Sequence, residues 1–149
     1  MSKLISAAPH PDITYRIIGA AMQVHNELGP GHREEVYQRG LFARMAQPPY
    51  GLSFEDEPKL PVYDSSGTQL YLYNPDCIVE GAVIVETKAQ THPLTNDDLA
   101  QVFDYFAASH YTVALLVNFG RPRLEHKRLF PPKHIQARRR GQPPPPGKP

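Results

Sequence analysis

Apolar positions recur along the chain with two different periods, and the change of period divides it into elements. From Pro11 onward Ile13, Ile17, Ala20, Ala21, Val24 and Leu28 are spaced by three and four residues, as on one face of a helix. Gly29-Pro30-Gly31 ends that helix. A second helix is predicted over 32–46, with Glu34, Tyr37, Leu41 and Met45 along one stripe and Val36 and Gly40 beside it, until Pro48-Pro49-Tyr50-Gly51 stops it. Short strand-like runs follow at 52–57 and 59–63, then a turn at Asp64-Ser65-Ser66-Gly67, then runs at 69–73, 76–79 and 83–88, together predicting a β-meander. Residues 95–109 return to helical spacing. Thr95 or Asn96 is the expected N-cap, Asp97 and Asp98 suit the positive helix end, and Leu99, Val102, Phe103 and Phe106 form the apolar face. The nearly all-apolar run at 112–117 suits a strand covered on both faces. Its strand–helix–strand setting predicts that it lies parallel to 83–88 through a right-handed crossover. A last edge strand is expected at 124–130.

At 149 residues, with 40% hydrophobic and 21% charged, the chain is in the range of one globular domain. We expect an N-terminal extension over 1–10, a folded domain over 11–130, and a disordered tail over 131–149, where Pro and Arg replace core-forming residues. The single cysteine, Cys77, excludes an intrachain disulfide framework and a Cys-rich zinc cluster. No run is long and apolar enough for a membrane span, and no secretion-signal pattern opens the chain, so a soluble, cytoplasmic protein is expected. The formal charge of +1 conceals an asymmetry. Residues 1–126 carry nine Lys/Arg and all fifteen Asp/Glu, a net −6, and residues 127–149 carry seven Lys/Arg and no acid, a net +7. A basic tail of this kind is either a solvated terminus or a contributor to nucleic-acid affinity through counterion release.

The candidate chemistry lies in Asn74-Pro75-Asp76 and Val85-Glu86-Thr87-Lys88. Each fragment alone reads as turn punctuation or as a solvated ion pair. Together they read differently, because Glu86 and Lys88 share a strand face at the end of the apolar run Val83-Ile84-Val85. Placing Asp76 opposite Glu86 in an antiparallel hairpin puts Val79 opposite Val83. It leaves Glu80-Gly81-Ala82 as a three-residue loop with a glycine available for a left-handed position. In that register Asp76, Glu86 and Lys88 share one face, while Cys77, Val79, Val83, Val85 and Thr87 occupy the other. Two carboxylates beside an ammonium suit divalent-metal phosphoryl chemistry: Mg²⁺ takes hard oxygen ligands, commonly one or two carboxylates plus water and phosphate oxygen. Asp76 and Glu86 are then the expected ligands of Mg²⁺ or Mn²⁺. Lys88 would orient the attacking hydroxide or offset charge in the transition state.

The sequence resembles a family of small proteins named for a GxxExxY motif, placed in the PD-(D/E)xK nuclease-like superfamily. The motif stands as Gly31-His32-Arg33-Glu34-Glu35-Val36-Tyr37. The resemblance spans about 13–130 and includes the Ile-Ile-Gly-Ala-Ala opening at 17–21, Val24-His25 to Leu28-Gly29, Asp76, Glu86-Thr87-Lys88, Gln101, Asn118-Phe119-Gly120 and Lys127-Arg128-Leu129. It implies an α/β (α+β) fold of restriction-endonuclease-like type: an αβββαβ core with a mixed central sheet flanked by helices. It also implies an Asp76, Glu86, Lys88 triad, with Glu34 joining the metal site. Gln101-x₃-Tyr105 resembles the helix signature of exonuclease-type members, with both side chains on one helix face. Pro48-Pro49-Tyr50-Gly51 and the Pro/Arg-rich tail stand outside the family pattern.

The seven histidines show no paired ligand spacing. His25 is expected near the acidic site as a supporting residue or as a surface group, and Tyr37 as core or as catalytic support. Lys88, Arg121, Arg123 and, in the tail, Arg138, Arg139 and Arg140 are the candidate phosphate contacts. The expected activity is Mg²⁺-dependent hydrolysis of nucleic-acid phosphodiester bonds, in DNA or RNA. The rivals are a non-cleaving nucleic-acid-binding module on the same fold and a protein-interaction module whose Pro-rich tail docks to a partner.

Overall fold

A computed structural model describes residues 9–140. Helix α1 (Pro11–Leu28) starts on a proline, whose missing N–H costs nothing in a first turn, and buries Ile17, Ala20, Ala21 and Val24. It ends at Gly29, where φ of 67° is readily tolerated by glycine and the N–H caps the His25 carbonyl. Helix α2 (Glu34–Met45) buries Tyr37, Leu41 and Met45. It crosses α1 closely at Gly40, where a Cβ would lie 3.1 Å from Val24 Cγ1.

The strands are β1 (Phe54–Asp56), β2 (Leu60–Tyr63), β3 (Gln69–Tyr73), β4 (Cys77–Val79) and β5 (Val83–Lys88). Helix α3 (Asn96–Ala107), β6 (Val113–Asn118), β7 (Glu125–Leu129) and helix α4 (Lys133–Arg140) follow. A five-stranded sheet has the order β1-β4-β5-β6-β7, antiparallel except for the parallel pair β5–β6, and β2–β3 form a separate hairpin. The αβββαβ order is thus carried by the first helices, β1, β4, β5, α3 and β6, with β2–β3 inserted. This corrects the expected meander. β1 pairs with β4 across the insertion, through Phe54–Val79, Glu55–Ile78 and Asp56–Cys77. A chain-order reading joins neighbouring strands and misses a hairpin that leaves the sheet.

The β4–β5 register is the expected one, with Cys77 opposite Val85 and Val79 opposite Val83, turned by Glu80 and Gly81 in left-handed conformations. Every residue of β6 is buried, as an apolar strand between two layers requires. On one face Cys77, Val79, Val83, Val85, Leu115 and Val117 pack against α1 and α2. On the other Ile78, Ile84, Ala114 and Leu116 meet Val102, Tyr105 and Phe106 of α3, Leu60 of the hairpin and Ile135 of α4. Fully burying one such aliphatic side chain is worth about 1.5–3 kcal/mol.

Helix α4 is the second correction. Residues 131–140 were expected within a disordered tail, yet Lys133–Arg140 is helical. Ile135 is buried, and Arg139 donates to the Phe106 carbonyl at 2.7 Å and lies over the Phe106 ring. One apolar residue in a basic run is too weak a periodic signal to mark a helix, but a single anchored turn suffices when a ready core receives it. The expectations for 1–8 and for the Pro-rich stretch of 141–149 lie outside the described residues. No described helix is long and apolar enough to cross a membrane.

Candidate active site

The site forms at the C-terminal end of β5. The strand runs apolar as far as Val85 because both faces are covered, so Glu86, next along it, is only 5% exposed. Alternation sends Ile84, Glu86 and Lys88 toward α3. There Glu86 Oε1 accepts from the Tyr105 hydroxyl at 3.1 Å and from the Asp76 N–H at 3.2 Å.

Asp76 is placed by a different device from the one expected. It precedes β4, and one rung beyond the last pair, Cys77–Val85, its Oδ2 accepts from the Thr87 N–H at 2.7 Å and the Thr87 hydroxyl at 2.6 Å. The carboxylate therefore takes the place of a ladder carbonyl and is fixed to β5 itself, rather than held by alternation along β4. Pro75, which has no N–H to give, marks the point where pairing stops. Both oxygens used so far leave Asp76 Oδ1 and Glu86 Oε2 outside these bonds.

Lys88 is oriented by α3. Its Nζ donates to Gln101 Oε1 at 2.7 Å and stands 4.0 Å from Asp98 Oδ1. Asp98 is itself fixed by the α3 capping box with Thr95, and by Gln90 Nε2 at 2.8 Å. Gln101 and Tyr105 thus face the site from adjacent turns, one on the ammonium and the other on the carboxylate.

The electrostatics follow from burial and crowding. Burial first, and the Asp76 charge second, raise Glu86 to about 8, against Lys88 and the two donors. Asp76 is raised by burial, with the Thr87 bonds and Lys88 opposing. Glu34, exposed at the start of α2, is raised by partial desolvation and by Asp76, and lowered by Lys88. Glu34 is therefore within electrostatic reach of both. Tyr105 is pushed up by burial and then by Glu86. Three acids resist ionisation around one point, with a single fixed ammonium to offset them. Such a set favours a cation.

Among the described residues no group of three or more His, Cys, Asp or Glu side chains makes a ready metal cage. The donor set still fits Mg²⁺ or Mn²⁺, which need few protein oxygens and keep several waters. Asp76 and Glu86 would hold such an ion, with Glu34 close by, and its charge would offset the repulsion that raises Glu86.

A family model described as the PD-(D/E)XK nuclease superfamily matches residues 11–129. The chain belongs to that superfamily. No curated protein and no solved structure matches it significantly. The superfamily match spans α1 to β7, and so includes every residue of the site just described.

Other expected residues lie elsewhere. His25, buried in α1, bonds through Nε2 to the Arg121 carbonyl at 2.9 Å and sits beside the Phe119 ring, with no bond to the carboxylates. The Tyr37 hydroxyl donates to the Gly29 carbonyl and accepts from the His32 N–H, and its ring stacks on Phe119 at 4.9 Å. It is core, and it also holds the loop that delivers Glu34. Arg121 and Arg123 follow β6, whose end Asn118 pairs with Lys88, so they stand at the site's end of the sheet. Arg138 and Arg140 are exposed on α4, but Arg139 is committed to Phe106 near the far end of α3.

Thr87, Asp98 and Asn118 were not among the candidates. Asn118 is fully buried, and its side chain holds the Gln90 N–H, the His92 carbonyl and the Gly120 N–H. It shapes the loop leading from Lys88 to α3. The available signal was a polar residue closing an otherwise apolar strand.

Proposed function

We propose that the protein is a metal-dependent nuclease that hydrolyses nucleic-acid phosphodiester bonds with Mg²⁺ or Mn²⁺, and that it falls in the GxxExxY group of its superfamily. The observation that carries this reading is the buried Glu86 carboxyl, crowded by Asp76 and set beside an ammonium oriented by Gln101. A purely structural site has no reason to maintain that repulsion.

Asp76, Glu86 and Glu34 are assigned to the cation, which when bound would polarise the phosphate and acidify a water. Lys88 is assigned to the attacking water or the charge building on phosphate, since Gln101 and Asp98 fix its direction before substrate arrives. Tyr105 holds Glu86 in its rotamer and Thr87 holds Asp76. Arg121 and Arg123 serve as phosphate contacts near the site, and Arg138 and Arg140 as a more distant, salt-sensitive contribution. A cytoplasmic setting fits such a protein, and its Pro-rich end at 143–146 fits a partner that reads polyproline.

The test is a panel of single-stranded, duplex and nicked DNA and RNA incubated with Mg²⁺ or Mn²⁺. Cleavage of at least one substrate, abolished by chelator and by Lys88→Ala, supports the proposal. Activity indifferent to Lys88→Ala marks a contaminant, and silence across the panel makes the non-cleaving binder the better account.

A further inference from the structure

The β2–β3 hairpin carries exposed aromatic surface that the fold does not require. Tyr71 is 59% exposed, and it lies on the same strand face as Tyr73, across from Val62 and Leu60. The Tyr71 and Tyr73 rings are 4.6 Å apart and tilted, and Tyr73 meets the Tyr105 ring edge-on at 6.0 Å. Tyr105 in turn donates to Glu86. Three rings therefore run from solvent to the buried carboxylate: Tyr105 belongs to the core, Tyr73 is half-buried against it, and Tyr71 lies open.

We propose that this strip, with Tyr71 at its mouth, is a stacking platform for an unpaired base of the strand that enters the Asp76–Glu86–Lys88 site, so that the substrate is single-stranded or locally unpaired nucleic acid. The inference rests on the nuclease reading for what happens at the site, and on the hairpin alone for binding. Three features favour a base over other occupants. Every base has a π-face that stacks on tyrosine without sequence preference, and such stacking is the common device of single-strand binding. Asp104, exposed on α3, is close enough to add to burial in raising the Tyr73 phenol, so the charge beside the strip is negative and gives a phosphate no partner there, whereas a neutral base can stack. The positive groups stand at the site, in Lys88, and beyond β6, in Arg121 and Arg123, and so supply for the backbone of a strand the phosphate contacts that the aromatic strip lacks. A closed duplex offers no free base face at that point. It would have to be opened first.

The strip continues into the site rather than facing away from it, which also separates it from Leu70. Leu70 is 61% exposed on the opposite face of the hairpin, with no link to the carboxylates.

The test uses the full chain in chelator, where cutting cannot confuse binding, with a dye-labelled oligothymidylate and a blunt duplex of equal length. Tyr71→Ala should weaken single-strand binding about tenfold, Tyr71→Phe should restore it because the ring is kept, and duplex binding should not change. The protein has no tryptophan. Tyr71→Trp therefore introduces a lone reporter, whose fluorescence should be quenched by the single strand and not by the duplex. Unaltered melting of Tyr71→Ala shows that binding, not folding, was lost. The proposal is overturned if Tyr71→Ala binds the single strand as tightly as wild type does, if the duplex competes equally, or if sedimentation shows self-association that Tyr71→Ala abolishes, which makes the strip an interface between copies. The two readings fail separately: ring-dependent binding without cleavage sinks the nuclease alone, and cleavage indifferent to residue 71 sinks the platform alone.

Discussion

Glu86→Gln should make the metal-free protein more stable at alkaline pH while removing its response to metal. Glu86 is raised from 4.5 to about 8 in the fold, burial being the main cause. A carboxyl raised in this way contributes stability that is fully present below about 4.5, falls as pH rises, and is lost above about 8, because the unfolded chain ionises first. At about 1.4 kcal/mol per tenfold change in proton affinity, the ceiling on the loss is about 5 kcal/mol. Side-chain relaxation and water entry reduce that ceiling, so about 2 kcal/mol is expected. Glutamine keeps an oxygen for the Asp76 N–H and the Tyr105 hydroxyl, and it carries no charge at any pH. Denaturant titration in chelator should find wild type and variant nearly equal at pH 5. At pH 9 Glu86→Gln should be ahead by about 2 kcal/mol, or about 4–8 °C in melting temperature. With millimolar Mn²⁺ the order should reverse, since only wild type gains from binding. A stability difference that is the same at pH 5 and pH 9 refutes the argument, because it would mean that Glu86 ionises in the fold as it does in the unfolded chain.

Asp76→Asn should reduce the thermal shift produced by Mn²⁺, as read by scanning fluorimetry, and an identical shift in wild type and variant would misplace the site. Thr87→Val removes the hydroxyl bonded to Asp76 at 2.6 Å while keeping the backbone N–H, so metal affinity should fall by less than in Asp76→Asn, as measured by calorimetric titration. Gln101→Leu should slow cleavage while leaving the Mn²⁺ shift intact, because it frees Lys88 without touching a carboxylate. Ile135→Ala should cost about 1–3 kcal/mol in urea unfolding, and no cost would return residues 133–140 to the status of a tail.

The sequence made the local elements legible, together with the one long-range relation that the site depends on. The β4–β5 register follows from setting Asp76 opposite Glu86, which leaves a three-residue loop with one glycine, and the period-two alternation of the strand puts Glu86 and Lys88 on one face. The helix pair Gln101 and Tyr105 was legible for the same reason, as adjacent turns of one amphipathic helix. What alternation could not give was the role of Asp76. Its carboxylate substitutes for a backbone carbonyl on the neighbouring strand, and no periodicity encodes a side chain acting as main chain. The partners Thr87 and Asn118 were missed with it, since the Thr87 hydroxyl and the Asn118 amide meet groups brought near only by the folded chain, the Asp76 carboxylate and the backbone of Gln90, His92 and Gly120. Long-range pairing was equally hidden: β1 joins β4 over an inserted hairpin, and nothing in residues 60–73 says that they leave the sheet.

The physical logic of the site depends on that division. Strand and helix periodicity places the charges, but periodicity alone would leave three acids free to turn toward water. The bonds from Thr87, Tyr105 and the Asp76 N–H prevent this for the two central carboxylates: each bond eases the charge it meets but holds it in place where it is buried, and burial outweighs the bonds. Burial of β5 between two layers supplies the low dielectric that turns proximity into a raised affinity for protons and cations alike. If the site exists to bind a cation, then variants that relax it should gain stability as they lose metal, and Glu86→Gln and Asp76→Asn should move together in both respects. A site maintained for folding would show the opposite, since each substitution would then cost stability at every pH.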